Sequence, residues 1–330
     1  MPGILVTGAG GGVGQSIIKA LQDSAYTLVA ADGEILATGL FAVNRSYRIP
    51  YARASDFTSR LLQICRDEGC RLLFPGLDAE LGPLAEARED FQAAGTTVVV
   101  STPQVVALAD DKLATARFVA GVGLPAPWTY PLTEVERPLS FPVVLKPRHG
   151  GARSQGVFVA ADEAQYGRLL ESVERERYVA QEWVEGDEYT CGTVCLAARV
   201  LGPIVMRRVL RDGDTYRAFV AQDSRIEEGV RHLVESLQPF GACNVQLRLR
   251  GGRPCVFEIN ARCSGTTYAR ALAGFNEPRM IADYLLGGME PQYVIREIAV
   301  LRYWKELVVD AAEIEDLRTA GRRVGRERRL

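Results

Sequence analysis

The sequence predicts a parallel α/β unit followed by a larger α+β unit. Three observations predict it. Short apolar strands alternate with helical segments from Ile4 to Ser101, the pattern of strands joined by helical crossovers. From Pro142 onward strand follows strand across Gly- and Asp-containing turns, the grammar of antiparallel sheets. The chain is 330 residues long and 47% hydrophobic, enough for about two domains of roughly 150 residues with a sizeable core.

In chain order, Ile4–Thr7 is an apolar strand followed by a glycine cluster and a helical stretch, Gln15–Leu21. Thr27–Ala31 is a second strand ending in Asp32-Gly33, and Phe57–Glu68 has helical spacing. Arg71–Phe74 is a strand stopped by Pro75-Gly76, Leu81–Ala93 is helical, and Thr96–Ser101 is a valine-rich strand. Thr102-Pro103 closes this unit. Asp110–Val122 is then helical, Pro142–Lys146 and Gly156–Ala160 are strands around a Gly-rich loop, and Ala164–Arg175 is helical. Tyr178–Val184, Tyr189–Leu201, Pro203–Leu210, Cys243–Arg250 and Pro254–Asn260 are strands. From about Asp310 the charge is mixed and then Arg-rich, which reads as a solvated or frayed helical end.

Charged residues make up 24% and the net charge is −2, so no global field favours nucleic acid or an anionic membrane. No apolar run approaches the ~18 residues that span a bilayer, and no signal-peptide pattern opens the chain. The seven cysteines are scattered without a CxxC pair, which suits a cytoplasmic location and argues against a disulfide framework or zinc site.

Thr7-Gly8-Ala9-Gly10-Gly11-Gly12-Val13-Gly14 lies between a strand and a helix, where backbone N–H groups can approach a phosphate. Asp32 sits where a ribose-binding acid is expected. These residues alone support a nicotinamide-dependent oxidoreductase, although no Tyr-x-x-x-Lys pair occurs. The alternative is a tight turn with no ligand.

Val256-Phe257-Glu258-Ile259-Asn260-Ala261-Arg262 carries more chemistry. On a strand Glu258, Asn260 and Arg262 share one face, while Phe257 and Ile259 point into a core. A carboxylate and an amide offer hard oxygens to Mg²⁺, and the guanidinium can hold charge on a transferring phosphoryl group. A hairpin centred near Gly252 puts Gln246 opposite Glu258. The alternative is the polar solvent face of an ordinary hairpin. Lys146 ends an apolar strand just before His149-Gly150-Gly151-Ala152-Arg153-Ser154-Gln155-Gly156, a sensible phosphate clamp. Lys112 is a second candidate, and His149 a phosphate donor; His232 is an ordinary helix residue. In Gln181-Glu182-Trp183-Val184-Glu185-Gly186-Asp187-Glu188 a strand edge can pair with adenine and a later carboxylate can accept from ribose. Asp78 and Glu80 follow a strand's C-terminal end, where open sheets bind ligands, and either meet a substrate amino group or lie in a solvated loop.

The ordered series resembles the ATP-grasp superfamily, especially single-unit relatives of the carbamoyl-phosphate synthetase large subunit and L-amino-acid ligases. The resemblance implies a pre-ATP-grasp domain over 1–103 that binds no nicotinamide. It implies an ATP-grasp domain over 104–290, with a lid lobe about 115–180 and a large lobe about 181–290, and an extension over 291–330. It further implies that Lys112 and Lys146 contact ATP phosphates beneath loop 149–156, with Gly151 and Gly156. Gln181, Glu182, Trp183 and Val184 line adenine, and Glu188 holds ribose. Gln246, Glu258 and Asn260 bind Mg²⁺ or Mn²⁺, Arg262 steadies an acyl phosphate, and Cys263–Thr267 lies near the acyl group. The resemblance leaves open which of Arg207 and Arg208 faces the phosphates. The implied activity is an ATP-dependent ligation of a small carboxylate to an amine, with no nucleic-acid or membrane partner and with a homodimer compatible. A non-catalytic nucleotide-binding module is the other alternative.

Overall fold

The computed structural model describes residues 2–151 and 154–330. The first unit runs β1 (Gly3–Val6), α1 (Gly12–Leu21), β2 (Thr27–Asp32), β3 (Arg45–Arg48), α2 (Phe57–Glu68), β4 (Cys70–Phe74), α3 (Asp78–Glu86), α4 (Arg88–Ala93) and β5 (Thr97–Val98). α5 (Pro103–Asp110) and α6 (Lys112–Gly121) lead into β6 (Thr129–Pro131), β7 (Val143–Pro147), β8 (Phe158–Ala160), α7 (Glu163–Ser172) and β9 (Tyr178–Glu182). Then come β10 (Glu188–Leu196), β11 (Arg199–Arg211), β12 (Asp214–Val220), α8 (Ser224–Leu237), β13 (Gly241–Arg250) and β14 (Arg253–Asn260). The chain ends with α9 (Thr267–Leu272), α10 (Glu277–Gly287), β15 (Ala299–Leu301), α11 (Ala311–Ala320) and β16 (Arg322–Val324).

Three sheets result, ordered β16-β3-β2-β1-β4-β5, β6-β9-β7-β8 and β14-β13-β10-β11-β12-β15. β1 to β5 pair in parallel, and the other two sheets are antiparallel. The predicted fold class holds. Thr102 caps α5, its Oγ1 accepting from the Val105 amide at 3.4 Å with Pro103 at the first helical turn, a standard start signal. Among the described residues no helix is long and apolar enough to cross a membrane.

The two six-stranded sheets share a core. Ile17 and Ile18 of α1 belong to one buried cluster with Val194, Ile204, Phe275 and Ile281. The four-stranded sheet has its own small core around Leu132, Val143, Leu145 and Tyr166.

The Arg-rich end is only partly solvated: Arg318, Arg322, Arg326 and Arg329 are exposed, but Arg323 is not. β16 adds antiparallel to β3 at the edge of the first sheet, and Arg323 is 1% exposed. Its guanidinium donates to the carbonyls of Leu40 (3.1 Å), Val43 (2.8 Å) and Arg326 (2.9 Å) and pairs with Glu313. A buried arginine needs such partners, and carbonyls some 280 residues away are invisible to local charge pattern.

Candidate functional site

Adjacent antiparallel strands bring the polar residues onto one face. Glu188 of β10 lies opposite Arg208 of β11 and Arg248 of β13. Gln246 of β13 lies opposite Glu258, and Asn244 opposite Asn260, both on β14. A bulge sets this register. Arg250 pairs with Arg253 and Leu247 with Val256, so Gln246 meets Glu258 only because Phe257 is the extra residue. Phe257 therefore does not point into the core as the alternation predicts. It is half-buried, and its carbonyl accepts from Lys146 Nζ at 3.2 Å.

The register puts Arg207 and Arg208 on opposite faces of β11. Arg208 shares the face with Gln246 and Glu188, donating to Gln246 Oε1 at 2.7 Å and to Glu188 Oε1 at 2.9 Å through Nε. Arg207 lies on the opposite face, over the Phe219 ring at 4.8 Å.

Around Glu258 the side chains form a chain of contacts. Asn260 Nδ2 donates to Glu258 Oε1 at 3.0 Å, and Arg262 donates to Asn260 Oδ1 at 3.0 Å. Arg262 also holds both oxygens of Asp78, at 2.7 and 2.8 Å. This bidentate pair ties the end of β14 to the start of α3 in the first unit. Burial alone would raise Asp78, but the Arg262 charge and hydrogen bonds hold its carboxyl below the usual range.

The two lysines come together at the end of β7. Lys146 is 7% exposed. Burial lowers it to about 8, against the pull of Glu258 and with a further push from Lys112. Lys112 starts α6, capped by Asp111, and donates to the Gly150 carbonyl at 2.7 Å and the Asp110 carbonyl at 3.1 Å. Asp111 in turn takes a bidentate pair from Arg148, fixing the start of the glycine loop. His149 is exposed against Asp110 (3.2 Å), and His232 lies on α8 with Nε2 at 3.0 Å from the Val122 carbonyl. Gly151 and Gly156 both adopt positive φ, 80° and 71°, a region that favours glycine. Ala152 and Arg153 of this loop lie outside the described residues.

The adenine and ribose candidates are placed less simply. β9 is paired on both sides, by β6 and β7. Gln181 is buried and its amide donates to Thr129 at 2.9 Å. Glu182 accepts from the Trp128 amide at 3.1 Å and pairs with Arg250 at 2.6 Å. Trp183 and Val184 lie past the end of β9, where the chain passes from the small sheet to the large one. Arg248 stacks on Trp183 at 4.5 Å and donates to the Val184 carbonyl at 2.7 Å. Glu188 is held between Arg208 and Arg248.

The glycine turn has a packing explanation. A Cβ on Gly8, which has φ +55°, would sit 2.6 Å from Leu77, and one on Gly14 or Gly76 would collide with the carbonyls of Gly8 or Thr7. Asp32 is occupied by backbone, accepting from the Gly10 amide at 2.8 Å and the Glu34 amide at 2.9 Å. Glu80 is no solvated loop residue. It is 2% exposed, and Oε2 accepts from Thr7 Oγ1 (2.6 Å) and the amides of Gly76 (3.1 Å) and Leu77 (3.2 Å).

Sequence reasoning missed two parts of this site. Arg248 flanks Glu188 on the side away from Arg208, and alternation along β13 could have found it. Buried Arg270 donates to Asn244 (3.1 Å), Thr266 (2.7 Å) and Ser264 (2.8 Å) and so fixes the loop after Arg262; no local pattern announces it.

Comparisons with known proteins bear on the family and the fold. Residues 174–306 match the family described as ATP-grasp in the biosynthetic pathway with Ter operon. Residues 4–99 match the PylC-like N-terminal domain. The carbamoyl phosphate synthase large chain of Rubrobacter xylanophilus is 28% identical over 87% of this chain and 30% of its own length. This chain thus spans less than a third of that relative. The L-amino acid ligase of Bacillus licheniformis superposes with a TM-score of 0.69 at 17% identity, covering 86% of this chain and 74% of that one. N5-carboxyaminoimidazole synthetase of Staphylococcus aureus, complexed with ADP, superposes with a TM-score of 0.69 at 14% identity over 97% of this chain and 96% of that one. The chain is a relative of the ATP-grasp superfamily.

Proposed function

We propose that the protein is an ATP-dependent ligase that phosphorylates a small-molecule carboxylate and transfers the resulting acyl group to an amine, releasing ADP and phosphate. The observation that carries this reading is the single face on which Lys146, Arg208, Gln246, Glu258, Asn260 and Arg262 converge. The solved relatives include one complexed with ADP and one complexed with MgADP, which supports ATP and Mg²⁺ as the cofactors.

The oxygens on this face suit a hard divalent ion: one carboxylate, Glu258, and the amide oxygens of Gln246 and Asn260, each of which keeps a second lone pair beside the guanidinium it accepts from, Arg208 or Arg262. These three would hold Mg²⁺, or Mn²⁺ with the same donors, and the ion would supply charge neutralisation. Lys146 and Lys112 hold the phosphates from one side, under the loop bearing Gly151 and Gly156. Backbone at 181–184 borders adenine, and Glu188 or the arginines beside it meet the ribose side. Arg262 steadies the negative charge on the acyl phosphate, oriented by Asp78. Positioning and charge neutralisation provide most of the acceleration, because phosphoryl transfer needs no side-chain nucleophile.

The nicotinamide reading loses its main support, since close packing accounts for Gly8, Gly14 and Gly76 and backbone amides occupy Asp32. The test incubates purified protein with ATP, Mg²⁺ and paired carboxylates and amines. ADP and phosphate are expected only when both partners are present. Protein that binds no ATP and releases no phosphate with any pair would sink the proposal.

A further inference from the structure

A cavity of about 630 Å³ opens in the first unit, lined among others by Gly8, Asp32, Glu34, Arg53, Leu77 and Glu80. Its size is that of small-ligand sites, which run from about 300 to 1,000 Å³. It lies outside the C-terminal ends of β1, β2 and β4. The chain proceeds from β1 through β2 to β3 on one side, and β4 and β5 lie on the other, so the crevice falls at the switch point where open sheets take ligands.

One side chain there is built for more than structure. Glu80 is 2% exposed yet borders the cavity. All three hydrogen bonds to it end on Oε2. Oε1 accepts no hydrogen bond among the described residues. The same first turn of α3 carries Asp78, which grips Arg262, so this cavity and the phosphoryl-transfer face share one helical turn.

We propose that the cavity binds the amine substrate as a primary ammonium and that Glu80 is the base that takes its proton. This rests on the ligase reading above. The ammonium gives one proton to Glu80 Oε1. The freed nitrogen lone pair forms the C–N bond at the acyl carbon. The C–O bond to phosphate breaks with its electron pair going to phosphate, which carries off the second nitrogen proton. The charged groups around Glu80 are Asp32 at the end of β2, Glu34 beyond it, Arg53 after β3 and Asp78 on its own helix, the last paired with Arg262. Burial raises Glu80 to about 7, with its hydrogen bonds pulling down and Asp32 pushing up. A base poised near working pH is the efficient one.

The experiment uses the full chain with ATP and Mg²⁺. The twenty proteinogenic L-amino acids serve as carboxylate and amine probes, and hydroxylamine, neutral at pH 7, as a nucleophile that needs no base. In Glu80→Gln the ratio of amine ligation to hydroxamate is expected to fall about 100-fold, and the rise of wild-type ligation through pH 7 to disappear. Equal loss of both products, or an unchanged pH profile, would overturn the role of Glu80. Ala79→Trp, at an exposed cavity-lining position, is expected to raise KM for the amine several-fold without changing KM for ATP. An unchanged amine KM would remove the cavity from the account. Wild-type protein that forms no hydroxamate at all would instead overturn the ligase reading, and this proposal with it.

Discussion

The glycine turn at 8–14 and the polar face of β13–β14 both read in sequence as ligand sites, and the structure treats them oppositely. Gly8 and Gly14 are required by backbone packing, because β1, α1 and the turn after β4 approach too closely there for a Cβ, whereas Gly12 meets nothing within 4 Å. The polar face instead assembles side chains from four adjacent strands, with Lys146 and Asp78 reaching in from the other two sheets' units. Small residues in a row report close approach, and only the neighbours decide whether the approaching group is a phosphate or more protein. A carboxylate, an amide and a guanidinium on one strand face have no such packing use, so they are the stronger functional signal.

The largest effect that would sharpen this contrast is expected from Glu258→Ala. Loss of the only carboxylate in the oxygen set is expected to lower ATP-dependent turnover about 100-fold or more while the melting temperature changes little. Full turnover in this variant would assign the face to structure. Gly76→Ala should behave the other way round. Its Cβ meets the Thr7 carbonyl, so stability should fall by about 1–3 kcal/mol, read by denaturant unfolding, while the variant that remains folded keeps its ATP affinity. Weaker ATP binding at intact stability would return the turn to the nucleotide.

A smaller effect concerns pH. Lys146 titrates near 8 because it is buried. Its charge is present below that value and lost above it, so ATP affinity is expected to decline several-fold between pH 7.5 and 9. Lys146→Arg should flatten the profile, because arginine stays charged. A wild-type affinity constant across that range would contradict the assignment. The smallest effect lies at the C-terminal clasp. Glu313 is held at about 2, chiefly by its hydrogen bond to Arg328, with Arg323 adding to it. A depressed carboxyl contributes stability above its unfolded value and loses it as pH falls toward 2. Glu313→Gln should therefore destabilise modestly at pH 7 and lose less stability than wild type on acidification.

Much of the fold was legible because its signals are local. The periodicity over Phe57–Glu68 gave α2 with its observed bounds, and the strand alternation gave the Gln246–Glu258 pairing. That pairing came out right although the hairpin turn sits half a residue away from Gly252, because the bulge at Phe257 absorbs the difference. What was not legible depends on distant partners. β3, with only four residues, and α5, which begins at a proline, gave no strong pattern. The burial of Arg323 rests on Leu40 and Val43, and that of Glu80 on Thr7 and the turn after β4. Gln181 looked like a cleft residue from its place in the motif, yet β6 supplies the Thr129 hydroxyl that draws it inward.

The central claim is that Glu258, Asn260 and Arg262 support an acyl phosphate made from ATP. Hydroxylamine trapping tests it most directly. Wild-type protein with ATP, Mg²⁺ and a panel of small carboxylates should yield a hydroxamate from at least one of them, with ADP formed in equal amount, and Glu258→Ala should yield none. Absence of hydroxamate from the whole panel in wild type, or equal trapping in Glu258→Ala, would contradict it.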